Sequence, residues 1–171
     1  MTYPNIDLVI HGMIKHDAGN PKLIQHFLKV HEFARLIGIG EGLEKLVQFT
    51  LETAAVVHDI GILTAERKYD SSAGKYQELE GPAEAKDLLS GLGWPQEVID
   101  RLCYLVGHHH AYANIDEPDD QILVEADFLV NLLENHLTED AQKSAYDKIF
   151  RTKSGKNLFR LLYPCMQQKT V

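Results

Sequence analysis

Cysteine is scarce in this chain, with only Cys103 and Cys165 among 171 residues. Neither belongs to a Cys-x-x-Cys pair, which excludes a cysteine-rich zinc module, and two thiols cannot build a disulfide framework. A reducing compartment is therefore the simple expectation. Since the sequence shows neither a basic, apolar leader nor a long membrane-spanning run, we expect a cytoplasmic protein that binds no membrane.

Positive charge is also in deficit, because 17 Lys and Arg stand against 25 Asp and Glu, for a formal net charge of −8. Nonspecific binding to a nucleic-acid polymer requires a cationic surface, so the composition argues against such a partner. The hydrophobic share of 44% predicts a packed core, and the length suits one domain over residues 1–171. Histidine, in contrast, is abundant, with nine residues.

Strand-like alternation is missing, and nearly every segment shows the helical spacing of apolar residues, which predicts an all-α protein. The domain core is expected over about 20–135, and the polar segment 62–80 is predicted to be a long loop. Helices are predicted over about 6–15, from Pro21 to Gly38 or Gly40, over roughly 43–58, and from Pro82 to near Gly91 or Gly93. Further helices are predicted from Pro95, from a cap at Asp119 or Asp120 to about Leu133, and in two weaker segments over 138–165.

His58 and Asp59 are the first residues that a plain helical core does not require. His58 continues the apolar stripe of Leu51 and Ala54, and Asp59 follows at the helix C-terminus, where the helix dipole disfavours a carboxylate. A divalent cation held by the imidazole nitrogen and the carboxylate oxygen compensates for that charge. A salt bridge or a capping interaction is the plainer alternative.

Asp127 is a second such residue, because apolar residues surround it on all sides of its predicted helix, from Ile122 to Val130. A buried carboxylate is nearly always paired or bound to a metal. The alternative to a metal is a buried ion pair with an Arg or a Lys.

Histidines on two further helices lie near apolar stripes. His26 and His31 are about 140° apart around their helix, and this geometry slightly favours His26 as the inward one. In the later triplet, His109 extends a buried stripe, His108 flanks it, and His110 is expected to point away. Hydrogen-bonded boundary histidines or a surface histidine run are the structural alternatives.

In order and spacing, these residues resemble the HD superfamily of metal-dependent phosphohydrolases. The matching positions are His26 with Val30, His58-Asp59-Ile60-Gly61, His108-His109, and Ala126-Asp127. The resemblance covers about residues 20–135 and favours His26 over His31. It implies an all-α helical bundle whose helices hold one divalent metal site between them, with His26, His58, Asp59 and Asp127 as ligands.

Two-metal members of that superfamily carry a further histidine before the fourth helix, and residues 77–82 contain none. We therefore expect one ion, which the sequence does not identify among Mn, Fe, Ni, Co, Zn and Mg. The resemblance implies a hydrolase of a small phosphate ester or nucleotide that uses a metal-activated water. Asp59 is expected to orient or deprotonate this water, and His108 or His109 to neutralise the phosphate or protonate the leaving oxygen.

Two alternatives stay open at this point. An oxygenase on the same fold is one, although it requires the fuller two-metal ligand set, and a non-catalytic regulatory module that binds metal or nucleotide is the other. The sequence leaves the oligomeric state open, a homodimer being one option.

Overall fold

The computed structural model describes residues 5–163 and Met166. Over these residues the chain forms nine α-helices and no strand, which confirms the all-α prediction. Cys165 and the end of the predicted tail lie outside the described residues. The helices are α1 (Ile6–His16), α2 (Pro21–Glu41), α3 (Lys45–Val57), α4 (Ile62–Tyr69), α5 (Gly74–Gly91), α6 (Gln96–Val106), α7 (Pro118–Glu134), α8 (Glu139–Ile149) and α9 (Lys153–Leu162).

The centre of the fold is formed by α2, α3 and α7. Helix α2 packs along both α3 and α7, and these two also contact each other, so the three helices surround one interior. Ala34 on α2, Leu51 and Ala54 on α3 and Leu123 on α7 are fully buried there. Any polar side chain that points into this interior loses water and must find its partner within the protein.

The span Lys45–Tyr69, which contains α3 and α4, is long and apolar enough to cross a membrane by length and composition. More than half of its most apolar window, 56%, is buried inside the protein. Helices in the centre of a folded core have the same composition, so this feature is weak evidence for membrane insertion. The expectation that no membrane is bound stays a prediction.

Helix α2 is longer than its glycines predict. Gly38 and Gly40 lie inside the helix, and the helix ends at Gly42, whose φ of 72° is in the left-handed region. Gly38 instead permits close packing, because a Cβ there would come within 2.3 Å of the Gln48 side chain on α3. The sequence pattern indicated that Gly38 and Gly40 end the helix, and it did not show that Gly38 lies inside the helix and permits close packing.

The predicted loop over 62–80 is wrong, because the segment contains α4 and the start of α5. The buried stripe of α5 consists of Gln77, Gly81, Ala85 and Leu89, and only two of these are apolar, so hydrophobic periodicity does not reveal it. Pro82 therefore lies inside α5 rather than at its start.

The start of α7 also differs from its prediction. Glu117 occupies the N-cap position and Pro118 the first turn, a position that suits proline because its missing N–H has no partner there. Asp119 and Asp120 are buried in that first turn and do not cap the helix. Asp119 accepts hydrogen bonds from the Arg101 guanidinium.

Candidate metal centre

The centre begins at the end of α3. The chain turns through residues 58–61 before α4, and the His58 Nδ1 donates to the Ala55 carbonyl at 2.9 Å. A carbonyl can only accept, so the proton is on Nδ1 and the Nε2 faces the interior between α2, α3 and α7. His58 is only 1% exposed, so its Nε2 contacts other protein groups and not water.

Gly61 allows α5 to pack directly on this turn. A Cβ at Gly61 would come within 2.6 Å of the Gln77 carbonyl oxygen and 2.7 Å of the Gly81 nitrogen. Only a glycine fits against the backbone of α5 at this distance. The glycine of the His-Asp-Ile-Gly motif thus has a packing role, and through it α5 brings Gln77 beside the site.

Four side chains, from α2, from the turn after α3 and from α7, come close together. His26 Nε2 lies 3.3 Å from His58 Nε2 and 3.1 Å from Asp127 Oδ1. His58 Nε2 lies 3.5 Å from the same Asp127 oxygen. Asp59 Oδ2 completes the group at 3.5 Å from His26 Nε2 and 3.4 Å from His58 Nε2. The structure therefore brings together all four of the residues predicted to hold the metal.

These separations fit the donor spacing of a first-row divalent ion. Ligand atoms about 2.1 Å from a common tetrahedral or octahedral centre are roughly 3.0–3.5 Å from one another. Of the six donor pairs, the five other than Asp59–Asp127 span 3.1–3.5 Å. Two imidazole nitrogens and two carboxylate oxygens suit Zn²⁺, Mn²⁺, Fe²⁺, Co²⁺ and Ni²⁺, so the residues present fit a metal ion.

The permanent cation that a buried acid pair requires is missing among the described residues. There, all ion pairs of Asp59 and Asp127 are with histidines. This excludes, for the described part of the chain, the alternative of a salt bridge to Arg or Lys. Within the described part of the chain, the charge of these two carboxylates is balanced by histidines, which are charged only when they are protonated.

The pKa values express the same imbalance. Burial acts to lower the pKa of His58, but the neighbouring Asp59 and Asp127 carboxylates outweigh it and raise this pKa to about 9. Burial acts to raise the pKa of Asp59, but His58 and His109 lower it to about 2. The pKa of Asp127 is likewise lowered, against burial, by His26 and His58. A proton on His58 thus occupies the electrostatic role that a metal cation can take.

A second donor group shares Asp59. Ligand atoms of Asp59, His109 and His110 lie within 4.8 Å of one another. His109 Nδ1 donates to the Val106 carbonyl at 2.9 Å, and its Nε2 lies 3.5 Å from Asp59 Oδ1 without a hydrogen-bond partner. Burial, and then the nearby His109, lower the pKa of His110 to about 4, so its ring is neutral at pH 7.

The directions predicted for His108 and His110 are wrong. His108 is exposed, stacks on Tyr104 with ring centroids 4.1 Å apart, and donates from Nδ1 to the Tyr104 carbonyl. His110, predicted to point away, lies beside the cleft, where its backbone N–H donates to the Glu78 carboxylate. Helical periodicity fails here because α6 ends at Val106 and the histidines lie in the turn that follows.

Two residues of α7 that sequence reasoning missed also contact the group. Asn131 donates from Nδ2 to Asp127 Oδ1 at 2.8 Å. Glu134 Oε2 accepts from His26 Nδ1 at 2.8 Å. They follow Asp127 by four and seven residues, so they lie on the same face of α7 as Asp127. This helical spacing is the sequence signal that could have identified them.

His31, the other candidate on α2, lies apart from this group. Its Nε2 is 3.7 Å from a Glu52 carboxylate oxygen, on a different face of the helix from His26. This placement agrees with the preference for His26.

The group opens into a polar cleft of about 350 Å³. Charged and amide side chains dominate its wall, and Lys22 is the lysine that contributes to it. Besides the metal-centre residues, the polar lining residues include Asn20, Lys22, Glu66, Ser72, Gln77 and Asn135. A small, charged, hydrophilic molecule is the ligand that such a wall accommodates.

The fold and the site define an all-α protein with a His/Asp group that could hold a divalent cation. The family model described as "HD domain" matches residues 23–146, most of the chain, and the chain belongs to that family. This family consists largely of metal-dependent phosphohydrolases and includes non-catalytic members. Comparisons with curated proteins and with solved structures give no match.

Proposed function

We propose that this protein is a metal-dependent hydrolase of a small phosphate ester. The observation that carries the proposal is the convergence of His26, His58, Asp59 and Asp127. Among the described residues, the ion-pair partners of the two aspartates are all histidines. A bound divalent ion supplies Lewis-acid stabilisation of phosphoryl charge and lowers the pKa of water.

Asp59 is the residue best placed to act on the attacking water. Its side chain is 19% exposed, more than the other three members of the group, and it lines the cleft. One of its oxygens faces His26 and His58, and the other faces His109. Because Asp59 is ionised, it can orient a water molecule and accept its proton while the ester P–O bond breaks.

His109 and His110 take the roles on the side of the phosphate. The Nε2 of His109 lies 3.5 Å from Asp59 Oδ1, and when it carries a proton it can neutralise a phosphoryl oxygen or protonate the leaving oxygen. His110 is neutral at pH 7, so it supplies a lone pair rather than a charge. His108 is exposed and stacks on Tyr104, so the charge-neutralising or proton-donating role that the sequence gave to His108 or His109 falls to His109.

The substrate we propose is a small phosphorylated compound, with nucleotides among the candidates. The cleft volume of about 350 Å³ is at the lower end of the range for ligand pockets. A cleft of this volume suits a small molecule rather than a polymer, and the net charge of −8 offers no cationic surface for a nucleic-acid backbone.

The number of ions separates two forms of this proposal. One ion at the first group leaves His109 and His110 for the substrate. Two ions would use Asp59 as a shared ligand, with His109 and His110 on the second ion. We propose one ion, because only the first group has four converging donors.

Elemental analysis of the purified protein, followed by a phosphate-release screen, tests the function. The screen uses nucleoside monophosphates, sugar phosphates and p-nitrophenyl phosphate, each with Mn²⁺, Fe²⁺, Co²⁺, Ni²⁺, Zn²⁺ or Mg²⁺. We expect about one ion per chain and release with at least one substrate class. Two ions per chain would support the shared-ligand form instead.

Asp59→Ala is the decisive variant, and Asp87→Ala is its matched control, since Asp87 is exposed on α5. We expect Asp59→Ala to lower bound metal at least tenfold and to abolish hydrolysis, while Asp87→Ala changes neither. Unchanged metal content in Asp59→Ala would contradict the ligand assignment. Absence of phosphate release under all metals would contradict the hydrolase.

A further inference from the structure

His26 differs from His58 and His109, which are also buried, in the hydrogen-bond acceptor that holds its ring. His58 and His109 each donate from Nδ1 to a backbone carbonyl three residues earlier. The His26 Nδ1 instead donates to the side chain of Glu134, 108 residues away on α7, at 2.8 Å. Its orientation therefore depends on a side chain, whereas those of the other two depend on their own helix backbone.

Glu134 lies behind His26 relative to the metal centre. The Glu134 carboxylate contacts Nδ1, while the opposite ring nitrogen, Nε2, is 3.1 Å from Asp127 Oδ1 and 3.3 Å from His58 Nε2. A carboxylate that accepts from Nδ1 fixes the tautomer in which the Nε2 lone pair is free for a cation. Glu134 therefore acts on the centre through the His26 ring.

Both oxygens of Glu134 are in use. Oε2 accepts from His26, and Oε1 accepts from the Lys29 ammonium. Lys29 is three residues after His26 on α2, so the same helix face supplies the ring and the cation that neutralises its acceptor. The Glu134 side chain is 15% exposed, so the carboxylate is shielded from water, whereas the Lys29 side chain is 45% exposed.

We propose that Glu134, held by Lys29, is the positioning residue that sets the orientation of His26 for metal binding. This inference rests on the proposed function only in requiring that the centre binds a divalent ion. It assigns Glu134 no contact with the substrate and no place as a metal ligand. Carboxylates in this position strengthen metal binding by orienting the imidazole and increasing its basicity.

The test measures the affinity of the metal-depleted full chain for Mn²⁺ and Zn²⁺ by calorimetric titration. We expect Glu134→Ala to weaken binding about 10–100-fold, which is typical of a lost outer-shell carboxylate. Glu134→Gln retains an acceptor for Nδ1–H, so its loss should be smaller than that of alanine. Lys29→Met should weaken binding less than about fivefold, since the ammonium acts only through Glu134.

Glu32→Ala is the matched control, because Glu32 is also an acid paired with a basic side chain, Arg35, but does not contact His26. Its metal affinity should equal that of the wild type. In addition, a downfield NMR resonance of the His26 Nδ1 proton should be present in the wild type and in Glu32→Ala, and absent in Glu134→Ala.

Three results overturn particular claims. If Glu134→Ala is folded and binds metal as tightly as the wild type, the positioning role is wrong. If the Nδ1 proton resonance persists in Glu134→Ala, the hydrogen bond is not what holds the ring. If the wild type binds no ion at all, the proposed function fails, whereas the proton resonance still decides whether Glu134 holds His26.

Discussion

Glu125 and Asp127 are two residues apart on α7, and both are buried, but their surroundings differ completely. Glu125 accepts hydrogen bonds from the backbone N–H groups of Arg151 and Thr152, at 2.6 and 2.9 Å, and from the Gln121 amide. Asp127 instead faces two histidines on α2 and α3. The two acids point to opposite sides of one helix.

We propose that this difference separates a structural acid, Glu125, from a metal-binding one, Asp127. Glu125 is satisfied by neutral donors at the start of α9, so it fastens that helix to α7 and requires no ion. The imidazole partners of Asp127 are bases that bind either a proton or a metal. Burial of a carboxylate by itself therefore does not indicate a metal site, and the chemistry of the partners decides its role.

Asp127→Asn tests the functional half of the comparison and should have the largest effect. We expect metal affinity to fall more than about 100-fold, because losing a ligand costs more than losing an outer-shell contact. The control is Glu125→Gln, which should leave metal affinity unchanged in calorimetric titration. Equal losses in the two variants would mean that the acids do not have separate roles.

Glu125→Ala tests the structural half. Removing the acceptor leaves buried N–H groups unpaired at the start of α9, so we expect a loss of about 2 kcal/mol in unfolding free energy. Denaturant titration of the metal-free protein measures this value. A change below about 0.5 kcal/mol would contradict the fastening role of Glu125.

The pH dependence of stability sharpens the contrast, because only the Asp127 side contains titratable partners. The unfolded pKa of histidine is near 6.5, and that of folded, metal-free His58 is about 9. Between these values the folded chain holds a proton that the unfolded chain has released. The unfolding free energy should therefore fall as pH rises from 6.5 to 9, by roughly 1 kcal/mol per pH unit.

Denaturation of the metal-free protein across this pH range measures the slope. His16→Gln is the necessary control, since Asp17, against the effect of burial, raises the pKa of His16 in the same direction. The slope should persist in that variant and be smaller in metal-loaded protein, where ligating imidazoles are deprotonated. Stability that stays flat or rises with pH in the metal-free protein would contradict the proposed state of His58.

The smallest effect is expected at His31, which shares α2 with His26 but faces Glu52. His31→Ala should change metal affinity less than about fivefold, as for other partly exposed ion pairs. His26→Ala should cause a far larger loss, because it removes a nitrogen from the centre. Equal or reversed losses in the titration would show that the wrong histidine of α2 was assigned.

Much of the centre was predictable because its residues lie on regular helices or, like His58 and Asp59, directly after one. Helical periodicity places His58 on the buried stripe of α3 and Asp127 inside the apolar α7, and it favours His26 over His31. The resemblance to the HD superfamily added the order of these motifs, and the family match over residues 23–146 confirms it. The cytoplasmic location, the homodimer and the nucleotide substrate stay predictions.

Periodicity gave wrong results where the chain leaves a helix or where a buried stripe is not apolar. His108 and His110 lie in the turn after α6, so their directions depend on local turn geometry rather than on a repeat of 3.6 residues. The part of α5 before Pro82 was missed because Gln77 and Gly81 take half of the buried stripe of this helix. In both cases the local structure depends on turn geometry or on packing against other helices, and the spacing of apolar residues does not show either of these.

The sequence by itself determined the helical class and the residues that can bind a cation, because both follow from residue type and spacing along one helix. Only the tertiary structure decided which partners each buried acid meets. Arg151 and Thr152 reach Glu125, and Glu134 reaches His26, across 26 to 108 residues of chain. Such contacts arise from the packing of separate helices, which no local pattern encodes.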